Sequence, residues 1–178
     1  MDIHTDYIRK AQAGDKEAFI YVMQELELPL YRMALLMLKQ EADCADAIQE
    51  TMLKAFQSLH ALREPKYFKT WIYRILINEC NKIVNKRNQT VVVEELFNAS
   101  AASTDYDLID LQEVVDRLEE NLRIVIVLYY FQDLSVNEIA QVLGISSGAV
   151  KTRMHRARKL LLSWLSNNPE RKMNCGTI

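Results

Sequence analysis

Asp43, Asp46, Gln49 and Glu50 form the densest group in the chain that could do chemistry. Spaced three and four apart, Asp46, Gln49 and Glu50 share one face of a helix. Paired carboxylates serve acid–base catalysis or hold a metal when a His or a third carboxylate converges on them. None does so in the sequence, and acidic residues in a first helical turn also complement the helix dipole. A polar docking surface for a basic partner is the better reading. The cysteines Cys44, Cys80 and Cys175 are odd in number, widely spaced and without a CxxC. That excludes a disulfide framework and speaks against a metal site. Cys44 and Cys80 read as reduced thiols that behave as small apolar helix residues. No metal and no cofactor is expected.

The other reactive groups are cations. Ser135-Val136-Asn137-Glu138 has the spacing of a capping box, and opens a helix carrying Ile139, Val142 and Leu143 that stops at Gly144. Ser146 can cap one more helix. Short helix, tight turn and second helix make a helix-turn-helix. At about 100° per residue, Val150, Met154, Ala157 and Leu161 of the second helix face inward. Opposite them fall Gly148, Thr152, His155, Arg156 and Lys159, with Lys151 at the margin: donors and cations suited to base edges and phosphates. His155 alone would be an ordinary solvated histidine, and its place on this face makes it a candidate base reader. A second basic helix carries Lys69, Arg74, Lys82, Lys86 and Arg87, with Tyr67, Phe68, Trp71 and Tyr73 interleaved. Cations beside aromatics suit a single-stranded nucleic acid. Phe68 and Trp71 lie near the buried stripe and read as core, which leaves Arg74, Asn78, Asn81 and Lys82 as contact candidates.

The elements that must position these groups are helical. Among 178 residues, only four Gly and three Pro argue against an all-β fold, and seven Met with many Leu, Ala, Glu, Lys and Gln favour helix. The expected fold is all-α: two small helical domains joined by a flexible linker, the C-terminal one containing the helix-turn-helix. The net charge of −2 hides an alternation. Residues 1–60 hold six Lys/Arg against ten Asp/Glu, 61–88 seven against two, 89–122 one against nine, and 123–178 eight against three. Two basic blocks between acidic ones point to two anion-contacting surfaces. Residues 89–107 lack helical period and cluster small polar residues, so they read as the linker between 1–88 and 108–178. In the first half, helices are expected over 6–13 and 16–27. Pro29 opens a third, and Asp43 caps a fourth whose buried stripe is Ile48, Met52, Ala55, Phe56 and Leu59. A loop over 60–67 leads to the basic helix over 68–86. The second half adds helices over 108–118 and 121–131. No stretch has the apolar length of a membrane span, and Met1-Asp2-Ile3-His4 does not read as a signal peptide, so a cytoplasmic protein is expected.

Two runs carry a family resemblance. Asp43-Cys44-Ala45-Asp46-Ala47-Ile48-Gln49-Glu50-Thr51, then Phe68-Lys69-Thr70-Trp71-Ile72-Tyr73-Arg74-Ile75 and Asn78, resembles the second conserved region of bacterial sigma factors. Leu134-Ser135-Val136-Asn137-Glu138-Ile139-Ala140, followed by the run from Gly148 to Arg158, resembles their fourth. Two such regions without a third domain between them resemble the extracytoplasmic-function (ECF) group. The resemblance implies that Asp46, Gln49 and Glu50 dock on the β′ clamp helices of core RNA polymerase. It implies that the loop with Arg63 and Lys66, and the helix with Arg74, Asn78, Asn81 and Lys82, capture the unwound −10 element of promoter DNA. It further implies that Lys151, Thr152, Arg153, His155 and Arg156 read the −35 element, that the C-terminal half meets the β flap, and that a membrane-bound anti-sigma factor is a partner. Cys44 stands where the family usually has an acidic residue, and His155 occupies a variable specificity position. The acidic 89–122 block repels DNA, and is expected along the basic RNA-exit path of the polymerase.

Two other classes compete. A stand-alone helix-turn-helix regulator would usually dimerise on paired half-sites and would not need the Asp46/Gln49/Glu50 surface. An enzyme would need a convergent nucleophile, base or metal cluster, and the sequence presents none.

Overall fold

Asp15 sets the first long element in place: its Oδ1 accepts from the amide of Ala18 at 3.1 Å and starts the helix Lys16–Leu38. A computed structural model of the chain describes residues 3–90, 114–115 and 117–166, and every regular element among them is helical. The helices are α1 (Ile3–Gln12), α2 (Lys16–Leu38), α3 (Glu41–Ser58), α4 (Phe68–Thr90), α5 (Glu120–Tyr130), α6 (Val136–Leu143) and α7 (Ser147–Ser166). Two 3₁₀ turns, Leu59–Ala61 and Pro65–Tyr67, join α3 to α4.

Pro29 does not open a new helix; it lies inside α2. A proline there removes one backbone hydrogen bond and crowds the preceding turn, at about 3 kcal/mol. The helix persists because its apolar face runs straight across the proline. Phe19, Val22 and Met23 are buried before it, and Leu30, Met33 and Ala34 are fully buried after it. Each large side chain contributes about 1.5–3 kcal/mol on burial, so packing outweighs the backbone defect.

Asp43 does not cap α3 either. The helix begins at Glu41 behind Gln40, and Asp43 pairs with the guanidinium of Arg87 at the far end of α4. Arg87 also donates to the Leu38 carbonyl at 3.0 Å and to Gln40 at 2.6 Å, so one side chain ties α4 to the α2–α3 corner. The core face of α3 is Cys44, Ala47, Ile48, Thr51 and Ala55. Thr51 fits there because its hydroxyl donates back to the Ala47 carbonyl at 2.6 Å. With the face centred on these residues, Phe56 falls outside the expected stripe. It is 48% exposed, meeting Phe19 edge-on at 5.2 Å. Met52 is half-buried, and of the aromatics on α4, Phe68 is buried and Trp71 half-buried.

In the second half the capping box forms as its spacing predicts: Ser135 Oγ accepts from the Glu138 amide and Glu138 reaches back to the Ser135 amide at 2.9 Å. Gly144 closes α6 with φ +64, a left-handed conformation that costs a residue without Cβ little. Ser146 accepts from Ala149 at 3.1 Å at the start of α7. Of the helix expected over 108–118, Val114, Val115 and Leu118 are described and all are buried; residues 108–113 lie outside the described residues. So does the expected linker from 91 onward, its first two positions belonging to α4.

The halves meet. α4 packs against α2 and α3 on one side and α6 on another, and α2 touches α5. One continuous apolar cluster runs from Ile8 to Ala157. Across the junction Tyr73 donates to Gln132, both buried, and Thr70 donates to Glu138 at 3.2 Å.

Replacing Pro29 by alanine restores the missing amide in an already packed helix. Pro29→Ala raises unfolding stability by about 1–2 kcal/mol, after the greater freedom of the unfolded chain is deducted. Urea denaturation followed by circular dichroism checks this.

Candidate functional site

Three surfaces take the residues singled out in the sequence. On α3, Asp46 and Gln49 are exposed and Glu50 is half-buried, side by side as their spacing requires. A groove of about 550 Å³ between α2 and α3 runs beside them, lined by Leu28, Tyr31, Ile48, Gln49 and Met52 among others. Leu28 and Leu53 are 55% and 50% exposed, so the face is apolar as well as acidic. A docking site for a helix is built in this way: apolar anchors with a charged rim.

Behind this face lies an ion-pair chain that the sequence reading missed. Glu50 pairs with Lys54 at 2.9 Å, Lys54 with Glu79 of α4 at 2.7 Å, and Glu79 with Lys82 at 3.0 Å. Burial works against the ionised form of Glu79, but the hydrogen bonds from Lys54 and Lys82 outweigh it and hold the carboxyl below its ordinary value. The same bonds, from Glu79 and then Glu50, raise the Lys54 ammonium. The legible half of the signal was Glu79 three residues before Lys82, within a basic stretch that has only one other acid, Glu64. The cross-helix half, Lys54, required the fold. A second groove of about 420 Å³ places Asp46, Gln49 and Glu50 beside Glu79 and Lys82.

The second surface is the outer side of α4 with the turns before it. Arg74, Asn78, Asn81 and Lys82 are all exposed and follow one another at helical spacing along a single stripe. Arg63 and Lys66 are exposed on the turns, with Lys66 4.9 Å from the centre of the Tyr67 ring. Gln12 positions this segment by donating to the carbonyls of Leu59 at 3.1 Å and Leu62 at 2.6 Å.

The third surface is α7. Val150, Met154 and Ala157 are buried, while Lys151, Thr152, His155 and Arg156 are exposed and Arg153 is half-buried. Thr152 donates to the Gly148 carbonyl at 3.0 Å, which leaves its oxygen free as an acceptor. Arg158 lies over Tyr129 and Tyr130, 5.7 and 5.6 Å from the ring centres.

Cys44 and Cys80 are free, fully buried thiols; burial pushes Cys80 up to about 12 and raises Cys44 as well. Among the described residues no three of His, Cys, Asp and Glu converge as metal ligands, and no helix is long and apolar enough to cross a membrane.

Two helical halves, the second a capped helix-turn-helix, each presenting a stripe of donors and cations, define a nucleic-acid-reading protein. The family model for Sigma-70 region 2 matches residues 22–90, and that for Sigma-70, region 4 matches residues 108–161. The RNA polymerase sigma factor SigV of Bacillus subtilis (strain 168) is 30% identical over 155 residues, covering 85% of this chain and 93% of the relative. The ECF RNA polymerase sigma factor SigW of the same organism is 27% identical over 86% of this chain and 92% of its own. Among solved structures, CnrH in complex with the cytosolic domain of CnrY is 26% identical with a TM-score of 0.70, covering 94% of this chain and 99% of that one. The sigma factor RpoE in complex with the anti-sigma factor NepR, from Bartonella quintana, is 26% identical with a TM-score of 0.66, covering 82% of this chain and 97% of that one. The chain belongs to the extracytoplasmic-function group of the sigma-70 family.

The Glu79 pairing makes stability pH-dependent in a known direction. A carboxyl held below its unfolded value contributes fully above the ordinary carboxylate range and loses that contribution as pH falls through its folded value. Glu79→Gln destabilises by about 1–2 kcal/mol at pH 7, because Lys54 keeps Glu50 and Lys82 keeps water. The gap to the parent chain narrows as pH drops below about 4. Thermal melts of both proteins across pH 3–8 measure it.

Proposed function

We propose that this sigma factor docks on core RNA polymerase through Asp46, Gln49 and Glu50 and hands it two promoter-reading surfaces. The region 2-like part, 1–88, grips the β′ clamp helices. Its Arg63, Lys66, Arg74, Asn78, Asn81 and Lys82 take the unwound −10 strand, cations on the backbone and amides on exposed bases. The region 4-like part, 108–178, meets the β flap and reads the −35 element in the major groove with Lys151, Thr152, Arg153, His155 and Arg156. Residues 89–107 connect the two. The observation that carries this reading is the coexistence, on one chain, of an acidic–apolar groove lined by Asp46, Gln49, Glu50 and Leu53 and an outward basic helix behind a capping box. A stand-alone regulator needs only the second.

The protein acts by binding and positioning, not as an enzyme, and works in the cytoplasm where polymerase is. An anti-sigma factor is a natural partner, because relatives of similar fold were solved with CnrY and NepR. The acidic 1–60 segment opposes DNA binding by the free chain, so promoter affinity without polymerase is low, and gel shifts across a range of salt concentrations check this.

Run-off transcription with purified core polymerase on a promoter library tests the proposal. The wild type initiates at specific start sites, and Asp46→Ala/Glu50→Ala lowers this about tenfold or more. Absence of initiation on every template, together with tight promoter binding by the chain alone, would leave the regulator standing instead. On a responsive promoter, Arg156→Ala weakens −35-dependent initiation by about 10–100-fold, the worth of one good base contact. Its discrimination among −35 variants falls as well.

A further inference from the structure

We propose that Glu79 is a positioning residue that couples docking to strand capture: it holds Lys82 until a cation of the polymerase takes Glu50, and then gives Lys82 up to the −10 backbone. The inference rests on the functional reading above and deepens it.

The ion-pair chain is balanced in the free protein. Two carboxylates, Glu50 and Glu79, alternate along it with two ammonium groups, Lys54 and Lys82. Glu79 is the shared member. Its Oε2 accepts from Lys54 at 2.7 Å and from Lys82 at 3.2 Å, and its Oε1 accepts from Lys82 at 3.0 Å. The Glu79 side chain is 8% exposed and that of Lys82 64%, so the carboxylate is fixed in place while the ammonium is able to leave it. Lys54 divides itself between Glu79 and Glu50, and its bonds to the two favour its charged form. Lys82 therefore reaches the stripe assigned to the −10 strand with its charge already compensated. A bridge that served the fold alone would need no second ammonium, because Lys54 by itself joins α3 to α4 through Glu79.

Docking disturbs this balance from the far end. Asp46, Gln49, Glu50 and Leu53 line the same groove as Glu79, Lys82 and Ile83. Charge complementarity brings a basic side chain to such a face. A partner's lysine or arginine that pairs with Glu50 competes with Lys54, which then turns wholly to Glu79. Two ammonium groups now contend for one carboxylate. Lys82, with the longer bonds and the greater exposure, is the one that yields. Its charge is then available to a phosphate, and one such screened contact is worth about three- to tenfold in affinity.

Neutralising Glu50 in the free chain stands in for the partner's cation. A fluorescent single-stranded oligonucleotide carrying the −10 element of a responsive promoter is titrated into the full chain at several salt concentrations. Glu50→Gln binds it about three- to tenfold more tightly than the wild type, with a salt slope steeper by about 0.7, that of one further phosphate on a single strand. Asp46→Asn removes an equal charge from the same exposed face but has no place in the ion-pair chain, so it gains less and leaves the slope unchanged. Lys82→Gln abolishes the extra gain of Glu50→Gln. So does Lys54→Met, because Glu50 then no longer reaches Glu79. Glu50 and Lys82 are 46% and 64% exposed, so their substitutions spare the fold even where Lys54→Met weakens it. With core polymerase bound, Lys82→Gln costs about three- to tenfold in strand affinity, and in the free chain it costs less than twofold. Equal gains and slopes for Glu50→Gln and Asp46→Asn, a gain that survives Lys82→Gln, or an equal cost of Lys82→Gln with and without polymerase would overturn the coupling and leave the functional reading standing. A chain that binds no core polymerase, measured apart from the oligonucleotide, would overturn that reading and the coupling with it.

Discussion

Ile72, Tyr73, Leu76 and Cys80 are fully buried along α4, and that helix packs against α2, α3 and α6 together. Burying one long helix on several sides is what converts two modest sets of helices into one cluster. It also dictates what α4 has left to offer. With Ile72, Tyr73 and Leu76 turned inward, Arg74, Asn78, Asn81 and Lys82 project to solvent, as Asn85 and Lys86 do further on, and the helical repeat lines them up without further help. Packing therefore chooses the surface: the same residues that hold the fold decide which polar side chains face outward.

Charge is placed with similar economy. Arg87 ties the end of α4 to Asp43, Gln40 and the Leu38 carbonyl, so the corner between α2 and α3 is held by a side chain from outside both. Glu79 does the same at mid-helix, gripping Lys54 of α3 and Lys82 of its own helix. Through Lys54 this grip extends to Glu50. Glu50 and Lys82, the residues proposed for docking and for the −10 strand, are therefore linked through one buried carboxylate. Such a chain transmits a change at either end only as far as its bonds are strained, and it fixes the rotamers of long side chains that would otherwise lose entropy on binding.

Much of this was legible before any coordinates. Helix caps and apolar periodicity are local, so the capping box at Ser135 and Glu138, the Gly144 stop and the inward face of Val150, Met154 and Ala157 follow from spacing. The outward placement of Lys151, Thr152, His155 and Arg156 follows from the same geometry. What failed to show were features set by distant neighbours. Pro29 reads as a helix start by itself, and only the continuous core on both sides keeps α2 running through it. Asp43 has the chemistry of a cap, but Arg87, 44 positions away, takes its carboxylate. Thr51 looks polar and Phe56 apolar, yet the first is buried by bonding to its own helix and the second is left outside. The Tyr73–Gln132 pair has no local signature at all.

Arg158 carries a consequence for counterions. Its guanidinium lies over two tyrosine rings, Tyr129 and Tyr130, so part of its charge is already spent on their π-faces. Of the five cations on α7, Lys151, Arg153, Arg156, Arg158 and Lys159, Arg158 is therefore the one drawn toward the end of α5. Each phosphate neutralised by a protein cation releases about 0.9 of a condensed counterion. A duplex held by the other four cations of α7, as the proposed −35 reading would have it, would release about one counterion fewer than the helix's formal charge implies.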